Sequence, residues 1–128
     1  MIVDTSALIA ILRTEESAER CALAIEQATI RRLSAVSFVE AGAVIDGSGD
    51  PVVSRRFEEL VKAAALTIEP VTAEQAHTAR AAYRDFGKGH HPAQLNLGDC
   101  FSYALAKAFD EPLLFVGDDF SKTDVKIA

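Results

Sequence analysis

Residues 1–12 of the chain read MIVDTSALIAIL. The first three are apolar, and Asp4 is the only charged residue among the twelve. Thr5–Leu12 has the composition of a helix, and Asp4, Thr5 and Ser6 all belong to residue types that cap a helix N-terminus well. The stretch therefore predicts a short buried strand that ends at an acid and leads into a helix.

The rest of the chain repeats this alternation of short apolar runs and amphipathic segments. Apolar residues at helical spacing predict more helices, and short apolar, β-branched runs predict strands. The predicted helices are Glu15–Ala28, Val36–Ile45, Pro51–Leu66, Ala73–Phe86 and Leu97–Phe109, and the predicted strands are Leu33–Val36, Leu66–Val71, Leu113–Val116 and Val125–Ile127. Strands separated by helices favour the α/β class, here a three-layer α/β/α sandwich with a small, mostly parallel sheet.

Length and composition restrict the class of protein further. A chain of 128 residues with 49% hydrophobic residues is an ordinary globular domain, which we assign to residues 1–128. It has no apolar run of about 18 residues that would span a membrane, and its N-terminus lacks the basic start of a signal peptide. Cys21 and Cys100 are too few for a disulfide framework and form no zinc-ligand pattern, so we expect a cytoplasmic protein.

The acidic balance of the chain argues at first against a nucleic-acid partner. It has 19 Asp and Glu against 13 Lys and Arg, which gives a net charge of −6 and a pI of about 5.0. Bulk charge of this sign opposes phosphate binding. Most of the acids lie on the polar faces of amphipathic helices, where exposure to solvent explains them.

Four positions do not fit that explanation, because their acids stand in apolar surroundings without a nearby base in sequence: Asp4, Glu40, Asp99 and the Asp118-Asp119 pair. Helix capping would explain Asp4 and Asp99 if each is taken alone, and a turn would explain the Asp118-Asp119 pair. Glu40 lies in the middle of an apolar helix and has no such explanation. Acids are rarely buried unless they are paired or bind a metal.

Asp4 and Asp118 follow the two clearest strands, and sites in parallel sheets form outside the carboxyl ends of strands. Carboxylates gathered in one pocket repel each other, so some must protonate or a cation must hold them. Oxygen ligands without Cys or His suit Mg²⁺ or Mn²⁺. Such an ion delivers a polarised water to phosphorus, which predicts metal-dependent phosphodiester hydrolysis.

Several segments together resemble PIN-domain ribonucleases, and in particular the VapC-type toxins of bacterial toxin–antitoxin systems. They are MIVDTSALIAIL at the N-terminus, SFVEAG (37–42), YRDFGKGHHPA (83–93) and LNLGDCFSYALAKAFDEPLLFVGDDFSKTDV (95–125). The resemblance covers essentially the whole chain. It implies a small parallel-sheet α/β/α sandwich and an endoribonuclease that depends on Mg²⁺ or Mn²⁺.

The resemblance also implies a quartet of acids, which matches Asp4, Glu40, Asp99 and Asp118, with Asp119 as the second choice for the fourth member. Asp4 and Asp99 match as direct metal ligands, with Glu40 and Asp118 binding water on the metal or a second metal. The neighbours of the first acid, Thr5 and Ser6, match residues that orient it or its water.

The implied partners are an RNA substrate, a small cognate antitoxin whose C-terminal segment covers the acidic pocket, and a second copy of the chain in a homodimer. RNA needs cationic contacts, and the candidates are Arg80, Arg84 and Lys88, with the pairs Arg31-Arg32 and Arg55-Arg56 less favoured. His90-His91 is unsuited to ligate a metal as a pair, because adjacent side chains rarely point the same way.

Three other functions remain open from the residues. A phosphatase with an aspartyl nucleophile would have a second acid two residues after Asp4, where the chain has Ser6. A phospho-receiver domain would need a late lysine at a strand end, which is not evident. A catalytically silent module that only binds RNA or protein is the third alternative, against which the complete set of acids argues.

Overall fold

The computed structural model describes residues 1–128 and contains four short strands and six helices. In chain order they are β1 (Ile2–Val3), α1 (Thr5–Leu12), α2 (Ala18–Gln27), β2 (Arg32–Ser34), α3 (Ala35–Asp46), α4 (Pro51–Ala63), β3 (Thr67–Glu69), α5 (Ala73–Phe86), α6 (Leu97–Phe109) and β4 (Leu113–Leu114), followed by a 3-10 turn at Phe120–Lys122. None of the helices is long and apolar enough to cross a membrane.

The strands form one sheet in the order β3-β2-β1-β4, and every pairing is parallel. Ile2 pairs with Leu113 and Val3 with Leu114, which puts β1 at the centre. The chain leaves β1 for β2 on one side and returns to β4 on the other. Ligand sites in open parallel sheets form where the strand order reverses in this way, so the carboxyl ends of β1 and β4 are the expected place.

Two hydrophobic cores, one on each face of the sheet, give the molecule its three layers. Successive strand residues point to opposite faces. Ile2 and Leu113 accordingly pack with α5 and α6. Val3 and Leu114 pack with α1 to α4. The predicted α/β class and three-layer sandwich are confirmed.

The predicted elements differ from the structure mainly at their ends. The second helix begins at Ala18 rather than Glu15, because the chain first makes a turn in which Thr14 has a φ of 52° and the Glu15 amide bonds to the Ala10 carbonyl. The predicted last strand at 125–127 is reduced to a single parallel bridge between Ile127 and Leu113. The predicted strand at 33–36 ends at Ser34, whose side chain caps α3.

Candidate active site

Asp4 lies directly after β1 and is 3% exposed. Its Oδ2 atom accepts hydrogen bonds from the Ser6 amide at 3.0 Å and from the Ser6 hydroxyl at 2.7 Å. The first bond makes Asp4 the N-cap of α1, as the sequence suggested. The Ser6 hydroxyl also accepts from the Val116 amide at 3.0 Å. Ser6 therefore joins the carboxyl ends of β1 and β4 and orients Asp4 between them.

A pair of buried serines holds the other oxygen of the same carboxylate. Ser102 Oγ donates to Oδ1 of Asp4 at 2.6 Å, and Ser37 Oγ lies 3.0 Å from Ser102 Oγ. Because a carboxylate oxygen only accepts, the Ser102 proton is committed to Asp4 and Ser37 must donate to Ser102. Both serines are fully buried.

The sequence analysis missed Ser37 and Ser102, although a signal for them exists. Ser102 follows Asp99 by three residues and Ser37 precedes Glu40 by three. Residues three apart share a helix face. Each helix therefore presents one serine and one acid toward the same place, and the serine is the deeper of the two. Thr5, predicted as a supporting residue, donates to the Ser37 carbonyl at 3.3 Å.

Asp99 is the third residue of α6, and its N-cap is Asn96. The Asn96 side chain accepts from the Asp99 amide at 2.8 Å, and Asp99 Oδ2 accepts from the Asn96 amide at 3.0 Å. This is a capping box, so helix capping accounts for one oxygen of Asp99. No donor of the protein bonds to Oδ1, which remains available for another partner.

Glu40 reaches the same place from α3. Its carboxylate lies against the backbone of Gly98, the residue immediately before Asp99. Neither carboxylate oxygen accepts a hydrogen bond from the protein, and no lysine or arginine pairs with it, although the residue is half-buried. The negative charge of the Glu40 carboxylate is therefore not balanced by any donor or base of the protein.

The electrostatics of the site appear in the pKa of Asp99, which is raised to about 7. Burial is the largest cause, and the negative charges of Asp4, Glu40 and Asp119 add to it, while the Asn96 amide acts in the opposite direction. Asp99 therefore lies within electrostatic reach of the other three acids. Asp4, Glu40 and Asp99, which the sequence analysis singled out, thus lie in the same region of the structure.

The fourth acid lies in the exposed loop after β4. The charge of Asp119 is among the causes that raise the pKa of Asp99. The backbone carbonyl of Asp118 closes the turn, since it accepts from the amide and the hydroxyl of Ser121. The coupling favours Asp119, the second choice of the sequence analysis, over Asp118.

None of the coupled acids has a counter-charge, since every ion pair of the protein lies elsewhere. No three Asp, Glu, His or Cys side chains are close enough to form a complete set of metal ligands on their own. The donor chemistry fits Mg²⁺ or Mn²⁺, which are commonly held by one or two carboxylates and keep several waters. Arrival of a cation would also relieve the repulsion that raises the pKa of Asp99.

The predicted RNA contacts are all exposed and lie on α5 or just after it. Arg84 pairs with the neighbouring Asp85 at 3.1 Å, whereas Arg80 and Lys88 have no acidic partner. The Lys88 amide bonds to the Leu95 carbonyl at 2.9 Å, which ties Lys88 to the segment that enters α6. Arg80 and Lys88 therefore carry unpaired positive charge, and Lys88 does so close in sequence to the N-terminus of α6.

Other basic residues serve the fold. Arg31 donates to the carbonyls of Ala28, Ala64 and Glu26. Arg32 pairs with Glu69 and Glu111, and its guanidinium lies 3.9 Å from the centre of the Phe109 ring. The Arg31-Arg32 pair is thus occupied by structural contacts. His91 is equally committed, because its Nδ1 atom accepts from the Ala93 amide at 3.0 Å.

Comparison of the sequence with known families and curated proteins gives a consistent result. The family model described as PIN domain matches residues 1–126. Ribonuclease VapC28 of Mycobacterium tuberculosis is 57% identical, over an alignment that covers 100% of this chain and 97% of that protein. Ribonuclease VapC30 of the same organism is 47% identical, with 98% and 95% covered.

Solved structures of similar fold include VapC20 of Mycobacterium tuberculosis, described as a Sarcin-Ricin loop cleaving toxin. It has a TM-score of 0.80 and 14% identity, and the match covers 99% of this chain and 97% of that one. A toxin–antitoxin complex from Klebsiella pneumoniae has a TM-score of 0.74 and 17% identity, with 99% and 95% covered. At these identities the likeness concerns the fold.

Proposed function

The chain belongs to the PIN domain family and, within it, to the VapC-type ribonucleases of toxin–antitoxin systems, and on this premise we propose that Asp4, Glu40, Asp99 and one acid of the Asp118-Asp119 pair form its catalytic centre. The reaction is hydrolysis of an RNA phosphodiester bond by water. Mg²⁺ or Mn²⁺ is the cofactor, held by Asp4 and Asp99. When bound, such an ion polarises the phosphate and lowers the pKa of water.

The protein groups have separable tasks in this proposal. Asp4 is immobilised by Ser6 and Ser102, so its carboxylate is oriented before substrate arrives. Asp99 keeps Oδ1 free while Asn96 holds Oδ2. Glu40 has no protein donor on either oxygen and is therefore free to hold and orient the attacking water.

The observation that carries the proposal is the absence of a counter-charge at the site. Arg32 and Lys107 neutralise acids elsewhere in the molecule, yet none of the coupled acids is paired. A protein gains no stability from gathering unpaired carboxylates, because each raises the cost of ionising the others. Such an arrangement is accounted for if a divalent cation completes the site.

The central experiment measures cleavage of a structured RNA with Mg²⁺ or Mn²⁺ by the wild type and by Asp4→Asn and Asp99→Asn. Both substitutions keep the size of the side chain and remove its charge, so we expect cleavage to fall by at least about 100-fold. Asp46→Asn is the matched control, since Asp46 is exposed on α3 and pairs with no base. Undiminished cleavage by both site variants would disprove the assignment and favour a module that only binds.

The fourth acid is assigned separately. We propose Asp119 for this role, since its charge is among the causes that raise the pKa of Asp99. Asp118 remains the alternative, because it follows β4 more closely in sequence.

We further propose that a small antitoxin protein covers the site with a segment that inserts an arginine or lysine. The unpaired acids supply the electrostatic reason, since a guanidinium bonds two carboxylate oxygens at once. The VapC family membership and the solved toxin–antitoxin complex of similar fold support such a partner. A search for a short open reading frame upstream of the gene, followed by co-expression and co-purification of its product, tests it.

We also propose that the protein is a homodimer and acts in the cytoplasm, where its RNA substrate is. Both cysteines are free and buried, which suits a reducing compartment. Light scattering tests the oligomer, for which we expect twice the monomer mass of 13.7 kDa. Mapping of new RNA 5′ ends after induced expression identifies the substrate.

A further inference from the structure

Gly98, the second residue of α6, contacts the carboxylate of Glu40 in a way that leaves no space for a side chain. A Cβ atom at this position would lie 2.7 Å from Cδ and 2.9 Å from Oε1 of Glu40, and closer still to Oε2. Real Cβ atoms essentially never lie within 3.0 Å of a heavy atom outside their own residue and its chain neighbours. An alanine at 98 and Glu40 in its present position are therefore incompatible.

The backbone itself does not require a glycine here. The glycines with positive φ are Gly49, Gly89 and Gly117, and Gly98 is not among them. Gly98 has ordinary helical geometry, where alanine is the better helix former. The three atoms nearest to the missing Cβ all belong to the Glu40 carboxyl group, which is thus the structural reason for a glycine here.

We propose that Gly98 is a positioning residue for Glu40, whose carboxylate occupies the space over the first turn of α6 beside Asp99. The inference rests on the proposed function, because it concerns the same metal-dependent site. It explains how an acid from α3 reaches an acid on α6 although neither oxygen of Glu40 is held by a hydrogen bond. The Glu40 carboxylate is thus positioned by its contact with the Gly98 backbone rather than by hydrogen bonds.

The consequence of adding a methyl group is specific. The group that overlaps with the new Cβ is the end of a flexible side chain, so Gly98→Ala moves the Glu40 carboxylate away and leaves the fold intact. We expect the variant to melt at least as high as the wild type, since alanine favours the helix. We expect its affinity for Mn²⁺ to fall by about 10-fold or more, as is typical when a group that orders a metal site is lost.

The experiment titrates Mn²⁺ into the RNA-free protein by calorimetry and uses four variants: Gly98→Ala, Glu40→Gln, their combination and Gly42→Ala. Gly42 is the matched control, since it lies in the same helix as Glu40 and a Cβ there would be at an ordinary 3.6 Å from Phe57 Cε2. Thermal unfolding of each variant accompanies the titration. Cleavage of RNA by the same variants is the second readout.

The inference predicts that Gly98→Ala and Glu40→Gln each weaken Mn²⁺ binding, that the combination is no weaker than Glu40→Gln alone, and that Gly42→Ala is unchanged. If Gly98→Ala binds Mn²⁺ as the wild type does while Glu40→Gln does not, the inference is wrong and the proposed function stands. The inference is also wrong if Gly98→Ala lowers the Mn²⁺ affinity of Glu40→Gln by the same factor as it lowers that of the wild type. If Glu40→Gln changes neither binding nor cleavage, the proposed role of Glu40 fails as well.

Discussion

Ser102 Oγ donates a hydrogen bond of 2.6 Å to Oδ1 of Asp4, and the two residues are 98 positions apart in the chain. The contact joins the middle of α6 to the end of β1, and both residues are buried. It gives Asp4 a donor on each of its two oxygens, since Ser6 serves the other. The orientation of the first acid therefore depends on helix α6 docking correctly onto the sheet.

Ser102→Ala should lower Mn²⁺ affinity and RNA cleavage by about 10- to 100-fold, because Asp4 loses a donor that fixes its orientation. Ser37→Ala should have a smaller effect, since Ser102 still donates to Asp4 in its absence. Calorimetry and a cleavage assay measure the two quantities. Ser54→Ala is the control, because the Ser54 hydroxyl makes no hydrogen bond; equal activity of Ser102→Ala and this control would contradict the prediction.

The stability of the metal-free protein should fall as the pH rises from about 4 to 7. Asp99 has its pKa raised from 3.8 to about 7, so in this window the folded state binds a proton more tightly than the unfolded state. The free energy of unfolding then decreases with pH until the carboxyl is ionised in both states. Because the group is partly exposed to solvent, we expect a loss of about 2 kcal/mol, less than the full conversion of the pKa difference.

Chemical denaturation at pH 5, 6, 7 and 8 of wild type and Asp99→Asn checks this pH dependence. The difference between the two proteins isolates the contribution of Asp99 from that of every other titratable group. Addition of Mn²⁺ at pH 8 should restore stability to the wild type alone, since a ligand stabilises the state that binds it. Parallel pH profiles of the two proteins would show that Asp99 is not responsible.

Asp119→Asn should reduce cleavage more than Asp118→Asn. The charge of Asp119 acts on Asp99, whereas Asp118 contributes its backbone carbonyl to the turn with Ser121, and that contact survives the substitution. Comparison of cleavage rates at saturating Mn²⁺ measures the difference. A larger loss for Asp118→Asn would return the fourth position to the acid nearer the strand.

Lys88→Gln should weaken RNA binding several-fold at low salt. It should also reduce the slope of log affinity against log salt concentration by an amount that corresponds to roughly one phosphate contact. Lys88 carries an unpaired charge and is tied by its amide to the segment before α6. Fluorescence anisotropy with a labelled RNA in chelator, so that no cleavage occurs, measures both effects. Lys62→Gln is the matched control on α4, and an identical salt dependence for the two variants would exclude Lys88 from the interface.

The local pattern of the sequence was enough for the fold class and for most of the elements. Helical spacing of apolar residues predicted Ala73–Phe86 and Leu97–Phe109 with the bounds that the structure has. The strands were predicted to run too far, because apolar residues continue past the last ladder hydrogen bond, as Phe115 and Val116 do after β4. Hydrophobic periodicity indicates which residues are buried. Because buried residues continue beyond the end of a strand, it does not locate that end.

The same local information singled out Asp4, Glu40 and Asp99, since an isolated charge in an apolar segment is visible without a structure. What lies around these acids was decided by tertiary contacts. Ser102 bonds to Asp4, and the Glu40 carboxylate lies over Gly98. These contacts, and the evidence for Asp119 as the fourth acid, all involve elements that are distant in the chain. The physical reason is that the neighbours of a residue in the sequence indicate whether it is buried. Its hydrogen-bond partners and its repulsion by like charges depend on distances that are set only when the helices pack on the sheet.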